Sequence, residues 1–169
     1  MEEGVVRIGE GSVEVVQDYA VLVNCEPQVR ELIREFVHTA EPKRPPHEDI
    51  IFRFFMKAVQ QPGYQLLLVR DPVGVPIGFS IMIMVDSIMD NDREVQVYAS
   101  YVKKDVPHHD LVGVLNALAE VWGRMFGASY VVMDSSPRSY KRWAKARGFE
   151  PVSVTYERKI NYDGQKQES

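Results

Sequence analysis

Apolar and polar positions change rhythm several times along this chain. Val29, Leu32, Ile33, Phe36 and Val37 recur three and four residues apart, which predicts a helix over EPQVRELIREFVHTA with one apolar face. The proline-rich EPKRPP stops it, because proline cannot extend a helix. A second helix is predicted over HEDIIFRFFMKAVQQ, where Ile50, Ile51, Phe54, Phe55 and Ala58 make a broad stripe and Pro62–Gly63 ends the run. Ahead of both, the valine-rich SVEVVQDYAVLVN reads as one or two strands.

The period then shortens. YQLLLVRD is a nearly continuous apolar run, PVGVP a turn, IGFSIMIMVDSIM a second run, DND another turn, and REVQVYASYV a third. Three strands in succession predict an antiparallel meander. Their two-sided hydrophobicity predicts helices on both faces. LVGVLNALAEVWGRMFG returns to the helical period through Leu111, Leu115, Leu118, Val121, Trp122 and Met125, with Gly127 as its cap. ASYVVMDS is a strand, and Ser136–Pro137 suits a helix start ahead of RSYKRWAKAR. Gly148 closes that helix and PVSVTYERKI is the last strand. A helix bridging two late strands predicts a parallel crossover. The expected fold is therefore α/β of the α+β kind: one domain, with a mixed central sheet of about six to seven strands and helices on both faces.

Composition narrows this picture. A chain of 169 residues with 45% apolar content suits one domain with its own core. The expected organisation is an N-terminal extension or edge strand at 1–12, a domain at 13–160 and a polar tail at 161–169. A net charge of -4 gives no broad pull toward nucleic acid or an anionic membrane. The single cysteine, Cys25, excludes an intrachain disulfide and fits a reducing, cytoplasmic setting. MEEGVVRIGE lacks an apolar signal core, and PIGFSIMIMV is too short to span a bilayer.

Three local patterns, in order, carry a resemblance. DPVGVPIGFSIMIM sets a turn before Gly78–Phe79, Tyr101–Val102 ends a strand, and RWAKARGFEPV places a second Gly-Phe pair before the last strand. Together they are similar to the GNAT superfamily of acyl-CoA N-acyltransferases, over roughly residues 13–159. The resemblance implies that acetyl-CoA enters where two strands splay. Its pantetheine arm would meet the backbone at Tyr101, Val102 and Lys103, and its pyrophosphate the loop that opens the next helix.

That loop departs from the family pattern. With Leu111 and Leu115 as anchors, the family's basic residue falls on Pro107, and its glycines on His108, Asp110 and Val112. Pro107 supplies no N–H, and Asp110 would repel phosphate while capping the helix itself. The pyrophosphate loop is thus degenerate, with Lys103, Lys104, His108 and His109 as the remaining sources of positive charge.

Amine acylation needs a base, donors for a developing oxyanion and an acid for the leaving thiolate. Glu94 is the candidate base; a solvent-facing strand-end carboxylate is its plain alternative. The family's acid, a tyrosine, falls on Ala144, which leaves Tyr140 one turn earlier as the substitute, or as a packing residue. Tyr98 and Tyr101 line the groove or pack its rim. Cys25 reads as a buried small residue, and His108–His109 without a third ligand gives no metal site. Lys43 and Arg44 would steer an acidic partner, or lie in a solvated connector. The basic run 138–147 leaves contact with a nucleic-acid backbone or an acidic protein open. Met82, Met84, Met89, Ile81, Ile83 and Ile88 make an apolar strand end, and the family often dimerises along sheet edges, so a homo-oligomer is expected. Two functional readings follow. One is transfer of an acetyl group from acetyl-CoA to a primary amine substrate. The other is an inactive GNAT-fold module working through a protein partner.

Overall fold

The computed structural model describes residues 5–8, 11–40, 47–86, 92–103 and 111–133, together with Gly148. Met1–Asp134 forms one compact unit and Ser135–Ser169 a second. The elements of the first are β1 (Val5–Ile8), β2 (Gly11–Val16), α1 (Tyr19–Asn24), α2 (Glu26–Ala40), α3 (Glu48–Gln60), β3 (Tyr64–Arg70), β4 (Pro76–Asp86), β5 (Arg93–Val102), α4 (Leu111–Met125) and β6 (Tyr130–Met133). Apart from Gly148, the predicted helix and strand after β6, with their Gly-Phe pair and basic run, lie outside the described residues.

The six strands form one mixed sheet in the order β1-β2-β3-β4-β5-β6. The first five run antiparallel, and α4 carries the chain over to β6, which pairs parallel to β5. The expected architecture holds: helices cover both faces of a mixed sheet.

Side-chain alternation sorts the core into two layers. Leu66, Leu68, Phe79 and Ile81 pack with Leu22, Val29, Leu32, Ile33, Phe52 and Phe55 of α1, α2 and α3. Leu67, Val69, Ile77, Met82, Val95 and Val97 face Leu111, Leu115, Ala119 and Trp122 of α4. Because β3 is buried on both sides, its pattern reads as a continuous apolar run rather than as alternation.

Several sequence expectations need correction. The valine-rich YAVLVN forms α1 rather than a strand, because the Asp18 carboxylate accepts from the Ala20 amide at 2.8 Å and caps the helix. Ile50, Val121 and Met125 are exposed instead of joining the apolar stripes of their helices. Ile81 and Met82 are fully buried in opposite layers, which removes them from any surface patch. Ile88 and Met89 lie outside the described residues, as do Lys43 and Arg44.

Two glycines matter for the site. Gly74 takes a φ of 88° in the β3–β4 turn, where the Asp71 carboxylate accepts from the Val73 and Val75 amides. Gly78 has no room for a side chain: a Cβ there would lie 2.6 Å from the Tyr101 carbonyl oxygen. The Gly78–Phe79 pair therefore lets β4 close tightly onto the end of β5. Among the described residues no helix is long and apolar enough to cross a membrane.

Candidate functional site

β5 pairs with β4 along its length, but with β6 only from Glu94 to Val97. Past Val97, no described strand pairs with β5 on that edge. The β4 register slips at the same level: Ile81 faces Ala99 while Met82 faces Val97, leaving Tyr98 as an extra residue. This is a β-bulge, a device that bends a strand and re-aims its groups.

Backbone direction follows from one hydrogen bond. The Lys103 amide donates to the Ile77 carbonyl at 2.9 Å. In an antiparallel ladder, successive residues turn their N–H and C=O to opposite neighbours. Lys103, Tyr101 and Ala99 therefore bond to β4, and the close approach of the Tyr101 carbonyl to Gly78 agrees. Ser100 and Val102 turn their backbone groups to the other edge. Of the three expected backbone contacts for pantetheine, Val102 thus faces the open edge, whereas Tyr101 and Lys103 face β4.

The side chains of Tyr101 and Lys103 are committed to α2. The Tyr101 hydroxyl donates to Glu35 Oε2 at 2.9 Å. Lys103 Nζ donates to Glu31 Oε1 at 2.9 Å and lies 3.6 Å from Glu35 Oε1. The hydrogen bond to Glu31 raises the Lys103 ammonium above its ordinary value, and the same bond holds the Glu31 carboxyl below the usual range. A phosphate would have to compete with two carboxylates for this lysine. Lys104, His108, His109 and the Pro107–Asp110 departures lie outside the described residues, as does Tyr140.

Glu94 sits half-buried in the doubly paired part of β5, opposite Val85 and Tyr130. Val95 and Val97 face α4, so alternation turns Glu94 and Gln96 toward the face of α2 and α3. Its carboxylate forms no ion pair with a described residue, unlike Asp86 on Arg93 or Glu14 on Arg70. Four residues separate it from Tyr98, about 13 Å of strand. Tyr98 is 60% exposed and its ring centroid lies 5.5 Å from that of Phe54, which in turn packs on Tyr64.

Sequence reasoning missed two residues here. Ser100, flanked by Ala99 and Tyr101 of the first layer, points to the α4 side, where its Oγ lies 2.7 Å from that of buried Ser80. Asn116 is only 6% exposed, and its Nδ2 is sealed from solvent with no acceptor among the described residues. The available signal was a lone amide inside the apolar helical stretch VLNAL.

Away from this edge, an open cleft of about 350 Å³ lies between the β3–β4 turn and the α1–α2 junction, lined in part by Glu14, Arg70, Asn24 and Cys25. Cys25 is buried, as its sequence context suggested, and its thiol donates to the Val21 carbonyl at 3.0 Å. Burial pushes this thiol above its ordinary value, the opposite of what a nucleophile needs.

No family model matches the sequence, and no curated protein matches it. Solved structures do match in shape. An aminoglycoside N-acetyltransferase in complex with CoA superposes with a TM-score of 0.67 at 20% identity, covering 91% of this chain and 98% of its own. A ribosomal-protein-alanine N-acetyltransferase from Brucella melitensis biovar Abortus gives 0.67 at 16% identity over 89% and 99%. A GNAT family acetyltransferase from Staphylococcus aureus gives 0.67 at 14% identity over 89% and 98%. The chain shares the fold of these acetyltransferases.

Proposed function

We propose that this protein is an N-acyltransferase that uses acetyl-CoA to acylate a primary amine. The observation that carries this reading is the second half of β5. A bulge at Tyr98 coincides with the end of β6 pairing, and Ser100 and Val102 then offer backbone groups along an open edge. That edge fits an arm rich in amides, since each amide needs a donor and an acceptor spaced as in a strand. The solved relative in complex with CoA supports the same ligand class.

Acetyl-CoA, when bound, supplies an activated acyl group, from which an amine displaces the thiolate as the N–C bond forms and the C–S bond breaks. The chain's own groups divide the remaining work. Val102 and Ser100 hold the pantetheine amides in register. Glu94 takes the amine's proton through intervening water, because its distance from the bulge rules out direct contact. The exposed ring of Tyr98, backed by Phe54, forms the wall against which the amine is held. Tyr140 as thiolate acid, Lys104, His108 and His109 as phosphate contacts, and self-association belong to the same proposal. Lys103 joins them only by loosening its hold on Glu31.

A second reading has its own support. The commitment of Lys103 to Glu31 and Glu35 removes a cation from the phosphate end, which favours an inactive module working through a protein partner. Isothermal titration with acetyl-CoA separates the two. Saturable binding at micromolar concentration, with CoA thiol released when a primary amine is added, is the expected result. Absence of heat at millimolar acetyl-CoA would overturn the enzyme.

A further inference from the structure

We infer that the acceptor is a primary monoamine with an apolar, ring-bearing body, and that Ile50, Phe54, Tyr64 and Tyr98 select it. This rests on the acyl-CoA reading and names the acceptor class of that same site. The starting point is a run of aromatic rings built by three separate elements. The Phe54 ring of α3 lies 5.5 Å from that of Tyr98 on β5 and 6.0 Å from that of Tyr64 on β3, centroid to centroid. Tyr98 is 60% exposed, and Ile50, one turn before Phe54 on the same side of α3, is 64% exposed. Large apolar side chains held next to one another in water mark a binding surface, whereas scattered ones need no cause. Tyr98 is also the extra residue of the bulge, where β6 pairing ends. The rings therefore begin beside the edge that takes the acyl arm.

Charge on this face narrows the acceptor. Every carboxylate of α2 and α3 is already held. Glu26 and Asp49 meet Arg30, Glu48 meets Arg34, and Glu31 and Glu35 meet Lys103. Glu94, turned to the same face from β5, has no ion pair with a described residue. The sheet surface between Glu94 and Tyr64 is apolar. Ile83 pairs with Tyr64 and Gln96, Val85 pairs with Glu94, and both are half-buried. One ammonium can be matched here. A second would lie against apolar side chains without a counter-charge, which is costly. Exposed Lys57, almost one turn past Phe54, adds repulsion against any further positive charge. A polycation therefore fits poorly. So does a polyhydroxylated amine, whose hydroxyls would lie along Ile50 and Phe54 without partners. A flat apolar body that packs on Tyr98 and Phe54 fits well, with its nitrogen on the Glu94 side.

Thiol release from acetyl-CoA, followed with 2-phenylethylamine, methylamine and spermidine as acceptors, tests this. The kcat/KM for 2-phenylethylamine should stand about tenfold above that for either of the others. The same chemistry occurs in a free amine and at the end of a peptide that starts with phenylalanine. Running such a peptide beside 2-phenylethylamine separates the sources, and preference for either supports the inference. Ile50→Ser and Tyr98→Ser alter exposed positions, so both variants should fold, which circular dichroism checks. In each, the ratio of kcat/KM for 2-phenylethylamine to that for methylamine should fall about tenfold. A ratio that held in both folded variants would overturn the inference and leave the enzyme reading intact. Preference of the wild type for spermidine would do the same. If acetyl-CoA bound but no amine released thiol, the inference would fail while the cofactor reading stood. If acetyl-CoA did not bind at millimolar concentration, the enzyme reading would fail first and carry this inference with it.

Discussion

The two halves of β5 belong to one strand yet live under different rules. From Arg93 to Val97 the strand has neighbours on both edges and its apolar side chains fill a core layer. From Tyr98 to Val102 it pairs, among the described strands, with β4 alone and keeps the backbone groups of Ser100 and Val102 turned to the other edge. The change needs one extra residue in the β4 register and a β6 pairing only four residues long. What this teaches is that one extra residue and a short partner strand together are enough to give the two halves of a single strand different surroundings.

Substitutions at either half should separate these rules. Gly78→Val attacks the second half from behind, since no Cβ fits against the Tyr101 carbonyl and Val102. Its expected cost is about 3 kcal/mol in urea unfolding, together with lost acetyl-CoA binding. Unchanged affinity in the folded variant would detach the site from this strand end. Val95→Ala acts on the first half, where the side chain is fully buried. It should cost about 2 kcal/mol through lost contacts and a residual cavity, with ligand affinity intact. A comparable loss of affinity there would erase the distinction between the halves.

The smallest effect concerns the ion pair that ties the second half to α2. Glu31 has its folded value lowered by Lys103, so its contribution is present above the ordinary carboxylate range and is lost as pH falls through that lowered value. Lys103 has a raised folded value, so its contribution is complete below the ordinary lysine range and is lost as pH rises through the raised value. Glu31 is half exposed, so water screens the pair and Glu31→Gln should cost no more than about 0.5 kcal/mol near neutrality. Wild type and variant should converge in acid. A gap that widened as the pH fell would contradict the pairing.

Much of this fold was legible because it rests on local rhythm. The stripes of α2 and α4 and the apolar runs of β3, β4 and β5 each announce themselves within about 15 residues. α1 did not, because six residues rich in valine satisfy a strand as well as a helix, and only the Asp18 cap decides. Ile50 misled for a related reason: adjacent residues on a helix diverge by about 100°, so Ile50 and Ile51 need not share a burial side.

Of the candidate site, only the strand end was legible. Tyr101–Val102 marked where β5 ends, but the bulge at Tyr98 arises from pairing with β4 and leaves no local signature. Nor does spacing reveal that Lys103 meets a carboxylate 72 residues earlier in the chain. Ser100 was hidden for a simpler reason. Which residues face an open edge depends on hydrogen-bond parity, and parity needs one observed bond, here Lys103 to Ile77.

The order of the strands carries a final consequence. Through β5, spatial order repeats chain order, so each new strand docks beside the one made just before it. The β1–β2, β3–β4 and β4–β5 contacts span short loops and cost little chain entropy to close, whereas β2 and β3 are joined through α1, α2 and α3. β6 in turn must wait for the whole of α4. During synthesis the flank of β5 is therefore the last part of the sheet to acquire a neighbour, and even when assembly ends its far portion has gained none among the described strands.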